Sequence, residues 1–349
     1  MQKKERQESS FTKFRAIKPK ALNLSPNEFI KISPLWSEDL PPLMIEPEMD
    51  GLNLAEWLAL NRAFVEKKLL ECGAILFRGF NIQSQAQFEE FLGSTACQMM
   101  SYTEGATPRT KLSDKVYTST EYPASQYIAL HNELTYVTTW PMKIYFFCLQ
   151  PPLSGGQTPI ADVRRVFNRL PPSIRDRFAR KGWMLVRNFG QGLSLPWQTS
   201  FHTTDKSEAE AYFRNARIDW EWKADGGLRT RQVRPAIAEH PRTGEKVWFN
   251  HVAFWHVTSL EGKVRDSMLS VFKEEDLPYN TYYGDGKAIE EEVAEEIREA
   301  YRQERQEYEW EAGDVLMLEN MLVAHGRNPY TGPRRVLVAM GEASDATVE

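Results

Sequence analysis

The apolar positions of the chain change period several times, and the changes mark out the elements. Leu54, Trp57, Leu58, Phe64, Leu69 and Leu70 suit the stripe of a helix over 54–72, with Gly73 as its stop signal. Ala74–Phe77 then reads as a short buried strand ending at Arg78-Gly79, and Gln85–Ala96 as a second helix. Strands are predicted at Tyr127–Leu130 and Lys143–Leu149, separated by a turn at Trp140-Pro141. Helical patterns recur at Pro172–Lys181, Ser207–Asn215 and Glu261–Phe272, and the heavily charged Ala288–Gln306 reads as a surface helix. Further strands are predicted at Trp183–Asn188, Val233–Glu239, Val247–Asn250, Val315–Glu319 and Arg335–Met340. The C-terminal half is therefore β-rich, with helices inserted between strands.

The N-terminal 47 residues follow neither period. Residues 1–21 are basic but lack the apolar core of a signal peptide, so a flexible solvated tail is expected there. Leu22–Pro47 is Pro-rich and reads as an extended arm lying on the domain. No Gly/Ser or Pro linker divides the rest, so 22–349 is expected to be one domain.

Composition narrows the class. With 42% apolar and 26% charged residues the chain is globular. Its 43 Lys and Arg against 48 Asp and Glu give a net charge of −5, which argues against nucleic acid as a partner. The 18 Phe, 13 Tyr and 10 Trp suit a deep core and a walled pocket. Cys72, Cys97 and Cys148 form neither a disulfide framework nor a CxxC knuckle. No apolar run approaches the roughly 20 residues of a membrane span. A soluble, cytoplasmic protein is expected. Nucleotide-binding glycine motifs and GxSxG are absent.

The six histidines are the scarce chemical resource. His131 opens the triplet His131-Asn132-Glu133; if the strand at 127–130 continues through it, His131 and Glu133 share a face. Two ligands from a strand plus a distant histidine make a 2-His-1-carboxylate triad, which leaves positions open on Fe(II) for oxygen and a co-substrate. Downstream, Gly155-Gly156-Gln157-Thr158 offers a tight turn and a hydroxyl. Near the C-terminus a strand leads through Met321–Ala324 to His325, and Arg334-Arg335 opens a further apolar strand. An arginine at the mouth of a buried strand needs an anionic partner, and its planar fork fits a carboxylate. A dicarboxylate chelating iron at one end and meeting Arg335 at the other would supply it.

In order, GAILFRGF (73–80), HNE, GGQT, AHGR and PRR give the chain a resemblance, over about Gly73–Met340, to the taurine dioxygenase and clavaminate synthase-like superfamily of Fe(II)/2-oxoglutarate oxygenases. The resemblance implies a mainly β fold with helices, a double-stranded β-helix (jelly-roll) core with inserted and flanking α-helices. It implies His131, Glu133 and His325 as iron ligands, Thr158 and Arg335 at the distal 2-oxoglutarate carboxylate, and Fe(II), 2-oxoglutarate and O2 as cofactor and co-substrates. The chain departs from the taurine enzymes in carrying Glu133 rather than Asp, and Ala339 where, four residues after the 2-oxoglutarate arginine, they place a sulfonate-binding arginine. Stretches at 102–109, 117–123, 187–201 and 240–256 look most like amino-acid hydroxylases of nonribosomal peptide assembly.

The expected reaction is hydroxylation of an unactivated C–H of an amino acid or derivative, free or bound to a peptidyl carrier protein, with succinate and CO2 formed. Desaturation or ring closure is the alternative within the class; a Zn-dependent hydrolase, or a non-enzymatic binder on the same scaffold, is the alternative outside it. Arg109, Glu121, Asn188 and Asn250 are the candidate substrate contacts.

Overall fold

The computed structural model describes residues 29–37, 40–101, 104, 109–120, 122–190 and 194–344. The basic tail expected over 1–21 lies outside them.

Two β-sheets face one another across the core. The larger has seven strands in the order Ile30–Pro34, Leu43–Pro47, Ala74–Phe77, Val315–Glu319, Pro141–Gln150, Arg335–Ala343 and Tyr117–Thr118; the smaller has Ile128–His131, Val323–Arg327 and Ile160–Asp162. Along the chain the strands alternate between sheets: 117–118 in the larger, 128–131 in the smaller, 141–150 back in the larger, 160–162 in the smaller. After a long insertion, 315–319, 323–327 and 335–343 repeat the alternation. This winding back and forth makes the predicted double-stranded β-helix, and it brings residues 128–131 beside 323–327.

The larger sheet is covered on both faces, so its strands are near-continuously apolar. Period-2 geometry sorts them. Ile75, Phe77, Tyr145, Phe147, Val315, Met317, Leu337 and Ala339 pack under the helices Leu54–Cys72 and Gln85–Ser94. Their neighbours Ala74, Leu76, Ile144, Phe146, Leu316, Leu318, Val336 and Val338 turn inward, towards Leu130, Ile160, Val323 and Ala324 of the smaller sheet.

The helix over 54–72 begins where the Asn53 side chain accepts from the Glu56 backbone N–H at 3.1 Å. It ends at Gly73 in the left-handed conformation, φ 77°, where a Cβ would lie 2.5 Å from Val323.

Several expectations shift. The arm expected over 22–47 forms a hairpin within its described part, Ile30–Pro34 against Leu43–Pro47, and the second strand pairs in parallel with Ala74–Phe77. Pro141 begins a strand rather than a turn; its missing N–H costs nothing at a first strand position. The strand expected over 233–239 is two strands, Leu228–Arg234 and Ile237–Glu239, interrupted at Pro235. The insertion between the two halves of the core carries its own four-stranded antiparallel sheet, ordered Asp219–Trp222, Leu228–Arg234, Trp183–Phe189, Tyr279–Tyr283. Among the described residues no helix is long and apolar enough to cross a membrane.

Candidate active site

His131 and His325 are cross-strand partners in the smaller sheet, and His325 also pairs with Ile160 on its other side. Their ring centroids are 4.6 Å apart. Glu133 does not continue the strand as expected: the strand ends at His131, and Asn132 and Glu133 begin a turn in which Leu134 takes φ 57°. The carboxylate nevertheless returns to the histidines, with Glu133 Oε2 3.8 Å from His325 Nε2. One ligand-type atom from each of His131, Glu133 and His325 lies within 4.8 Å of the other two.

The donor set suits a divalent cation. Burial holds both imidazoles below the usual histidine range, His325 well below it, so each ring is neutral with a lone pair to give. His131 Nδ1 lies 2.8 Å from the Ala129 carbonyl, which fixes the proton there and leaves Nε2 as the acceptor. Phe146 packs edge-on against His325 with centroids 5.1 Å apart, and Phe254 lies 4.7 Å from His131.

A cavity opens from this cluster, lined among others by Arg109, Ser119, Thr158, Arg334 and Val338 together with both histidines. The expected carboxylate-binding residue, Arg335, is not in it. The register of its strand shifts between Arg335 and Val336, Arg335 is exposed at the strand's beginning, and Arg334 is the arginine that shares the cavity with Val338. Arg334 donates from Nε to the Gly156 carbonyl at 3.0 Å and from Nη1 to the Ser119 hydroxyl at 3.5 Å. No carboxylate of the described residues pairs with it. Burial, reinforced by neighbouring Arg327, draws its guanidinium down to about 10. A partly buried cation in this state calls for an anion. Thr158 is 3% exposed, and its hydroxyl accepts from Trp310 Nε1 at 3.1 Å while keeping its own proton to donate. Counted from Arg334, the position four residues on is Val338, an apolar cavity wall. Ala339 lies on the opposite face, beneath the helices.

Of the three candidate substrate contacts among the described residues, only Arg109 reaches this place, donating from Nη2 to Glu133 Oε2 at 2.8 Å. Asn188 is occupied in the insertion, donating to the Glu275 and Leu277 carbonyls and accepting from Arg229. Asn250 donates to the Ala236 carbonyl and caps Val252. Glu121 lies outside the described residues. His251 is buried, shares a hydrogen bond with the Thr135 hydroxyl and stacks on Trp255 at 4.4 Å.

Comparison with known proteins decides the class. The model of the family described as "Taurine catabolism dioxygenase TauD, TfdA family" matches residues 36–340. The chain belongs to that family. It is 41% identical over 276 residues to the dapdiamide synthesis protein DdaC of Enterobacter agglomerans, covering 79% of this chain and 84% of that one. It is also 31% identical over 287 residues to a clavaminate synthase-like protein of Arabidopsis thaliana, with the same two coverages. Among solved structures, PvcB, an Fe, alpha-ketoglutarate dependent oxygenase from an isonitrile synthetic pathway, superimposes with a TM-score of 0.52 at 16% identity, covering 92% of this chain and 93% of that one. PvcB of Pseudomonas aeruginosa gives 0.54 at the same identity, covering 92% of each chain. The fold is the jelly-roll of this family. The enzyme is an Fe(II)- and 2-oxoglutarate-dependent oxygenase, and the hydrolase and simple-binder readings fall away.

Proposed function

We propose that His131, Glu133 and His325 hold the iron, that Thr158 and Arg334 receive the distal carboxylate of 2-oxoglutarate, and that the enzyme hydroxylates an unactivated C–H of an amino acid or amino-acid derivative. The observation that carries the reading is a single cavity joining the ligand cluster to a partly buried guanidinium with no carboxylate partner among the described residues. Bound Fe(II) would hold 2-oxoglutarate and O2 together and supply the C–H oxidation, with succinate and CO2 as by-products.

The protein's own part is binding and orientation. Burial keeps the two imidazoles deprotonated at neutral pH. Arg334 and Thr158 fix one end of the co-substrate, and Arg109 stands beside Glu133 where it can meet an anionic group of the substrate. Two features favour an amino-acid-like substrate over a sulfonate. Val338 occupies the place of a sulfonate-binding arginine, and a relative with 41% identity is named for dapdiamide synthesis. We place the reaction in cytoplasmic secondary metabolism, with the substrate free or tethered to a peptidyl carrier protein.

The test is a screen of free and carrier-loaded amino acids with Fe(II) and 2-oxoglutarate, read as succinate formed and as product mass. An amino-acid substrate should stimulate succinate formation and gain one oxygen atom, and taurine should do neither. Loss of two hydrogens instead would mean desaturation or cyclisation. Oxidation of taurine would sink the substrate class while leaving the iron site standing.

A further inference from the structure

The Glu133 carboxylate has a positioning problem. It lies past the end of the strand, so the ladder that holds His131 does not hold it, and the turn that follows contains Leu134 at positive φ, a conformation that persists only where its surroundings enforce it. One distant side chain closes that turn. Asn320 Oδ1 accepts from the Glu133 backbone N–H at 2.8 Å, and Asn320 Nδ2 donates to the carbonyls of Glu133 at 3.0 Å and Pro141 at 2.8 Å. The bond is returned: Asn132 Nδ2 donates to the Asn320 carbonyl at 2.6 Å. Both asparagines are fully buried.

Asn320 also sits at a junction. It follows the strand Val315–Glu319 of the larger sheet directly and leads through a tight turn, Leu322 N–H to Glu319 carbonyl at 3.0 Å, into Val323–Arg327, which carries His325. One residue thus ties the backbone of the carboxylate ligand to the start of the strand that bears the second histidine. No other residue type fits: the contacts need one acceptor and two donors on a short planar group, and aspartate in the same place would set a carboxylate oxygen against two carbonyls.

We infer that Asn320 is the positioning residue of the metal centre, holding Glu133 in register with His325 without touching the metal. The inference rests on the proposed ligand set. It predicts a loss in metal affinity of the size seen when groups supporting metal ligands are removed, about 10- to 100-fold.

The experiment measures Co(II) dissociation constants on the anaerobic full-length protein and records the Co(II) absorption spectrum. It compares wild type with His131→Ala, Asn320→Ala, Asn320→Asp and Asn188→Ala. Asn188 is also a buried asparagine bonded to two carbonyls, but it stands in the insertion, so it reports what a purely structural loss does. The expected result is one site in the wild type, lost in His131→Ala, weakened at least tenfold with an altered spectrum in both Asn320 variants, and unchanged in Asn188→Ala. Wild-type affinity in Asn320→Ala, or equal weakening in Asn188→Ala, overturns the inference while the ligand set stands. A wild type that binds no Co(II), or a His131→Ala variant that binds it normally, overturns the ligand set and the inference with it. Should the Asn320 variants lose their cooperative melt, Asn132→Ala takes their place. It removes only the returned bond and should weaken Co(II) binding by a smaller but measurable factor; wild-type binding by that variant overturns the inference.

Discussion

His131 and His325 face each other across one rung of a three-stranded sheet, rings 4.6 Å apart, His325 buried, His131 partly buried and both neutral. Two neutral imidazoles present lone pairs beside the carboxylate that Arg109 also meets, a donor set that suits a divalent cation, so the site should retain iron through purification. His131→Ala and His325→Ala should each lose it while still melting cooperatively, with no more loss of stability than the roughly 2–5 kcal/mol of a large-to-small core substitution. Metal analysis and calorimetry check this, and iron at wild-type stoichiometry in either variant would strike that residue from the ligand set.

The neighbours Arg334 and Arg335 should behave oppositely. Arg334→Ala removes charge-assisted bonds to the co-substrate, worth about 1.5–3 kcal/mol, and so should weaken 2-oxoglutarate by roughly 10- to 100-fold. Arg334→Lys should recover only part, because the planar fork is lost. Arg335→Ala should bind 2-oxoglutarate like wild type. Titration calorimetry on the metal-loaded, oxygen-free enzyme separates the two, and a large loss in Arg335→Ala would return the assignment to that residue.

These two arginines also show how far the sequence could be read. An arginine at that strand's mouth was legible from PRR followed by an apolar run. The alternation that places Val336 and Val338 inward favours Arg334, since even positions face the cavity, and that signal went unused. The helices at 54–72 and 172–181 and the strands at 74–77 and 315–319 were legible to the residue, because each is bounded by a Gly, a Pro or a change of period. Asn320 was not legible. Its partners Glu133 and Pro141 are far away in sequence, and an asparagine after a strand reads as an ordinary turn residue. Arg109 was legible as a candidate, but its pairing with Glu133 was not.

The second glycine of GGQT serves Arg334. Gly156 has φ 71°, its carbonyl accepts the Arg334 Nε–H, and a Cβ there would lie 3.1 Å from Arg334 Cδ and 2.8 Å from Pro152. Gly156→Ala should therefore displace the guanidinium and weaken 2-oxoglutarate several-fold while leaving metal affinity intact. Equal losses for metal and co-substrate would show a general collapse of the turn instead.

The final prediction concerns pH and a histidine remote from the ligand set in sequence. His256 is 4% exposed; its Nδ1 meets the Thr258 hydroxyl at 2.7 Å and accepts from the Thr258 N–H at 3.3 Å, while Nε2 donates to the Ile289 carbonyl at 3.3 Å. Burial holds its protonation below the usual histidine range and Arg298 adds to this, against smaller opposing effects of the Ile289 carbonyl, Glu274 and Glu291. The folded pKa is thus below the unfolded value near 6.5, and between the two the unfolded chain binds the extra proton. This histidine's contribution is fully present above about pH 6.5 and is lost as pH falls through that window. His256→Gln should flatten the fall in stability between pH 7 and pH 5, by at most about 1.4 kcal/mol per pH unit for one proton. Denaturant unfolding of the metal-free protein at a series of pH values measures the slope difference, with the remaining histidines common to both proteins. Identical slopes would mean that His256 titrates alike in both states, and the burial argument would fail for it.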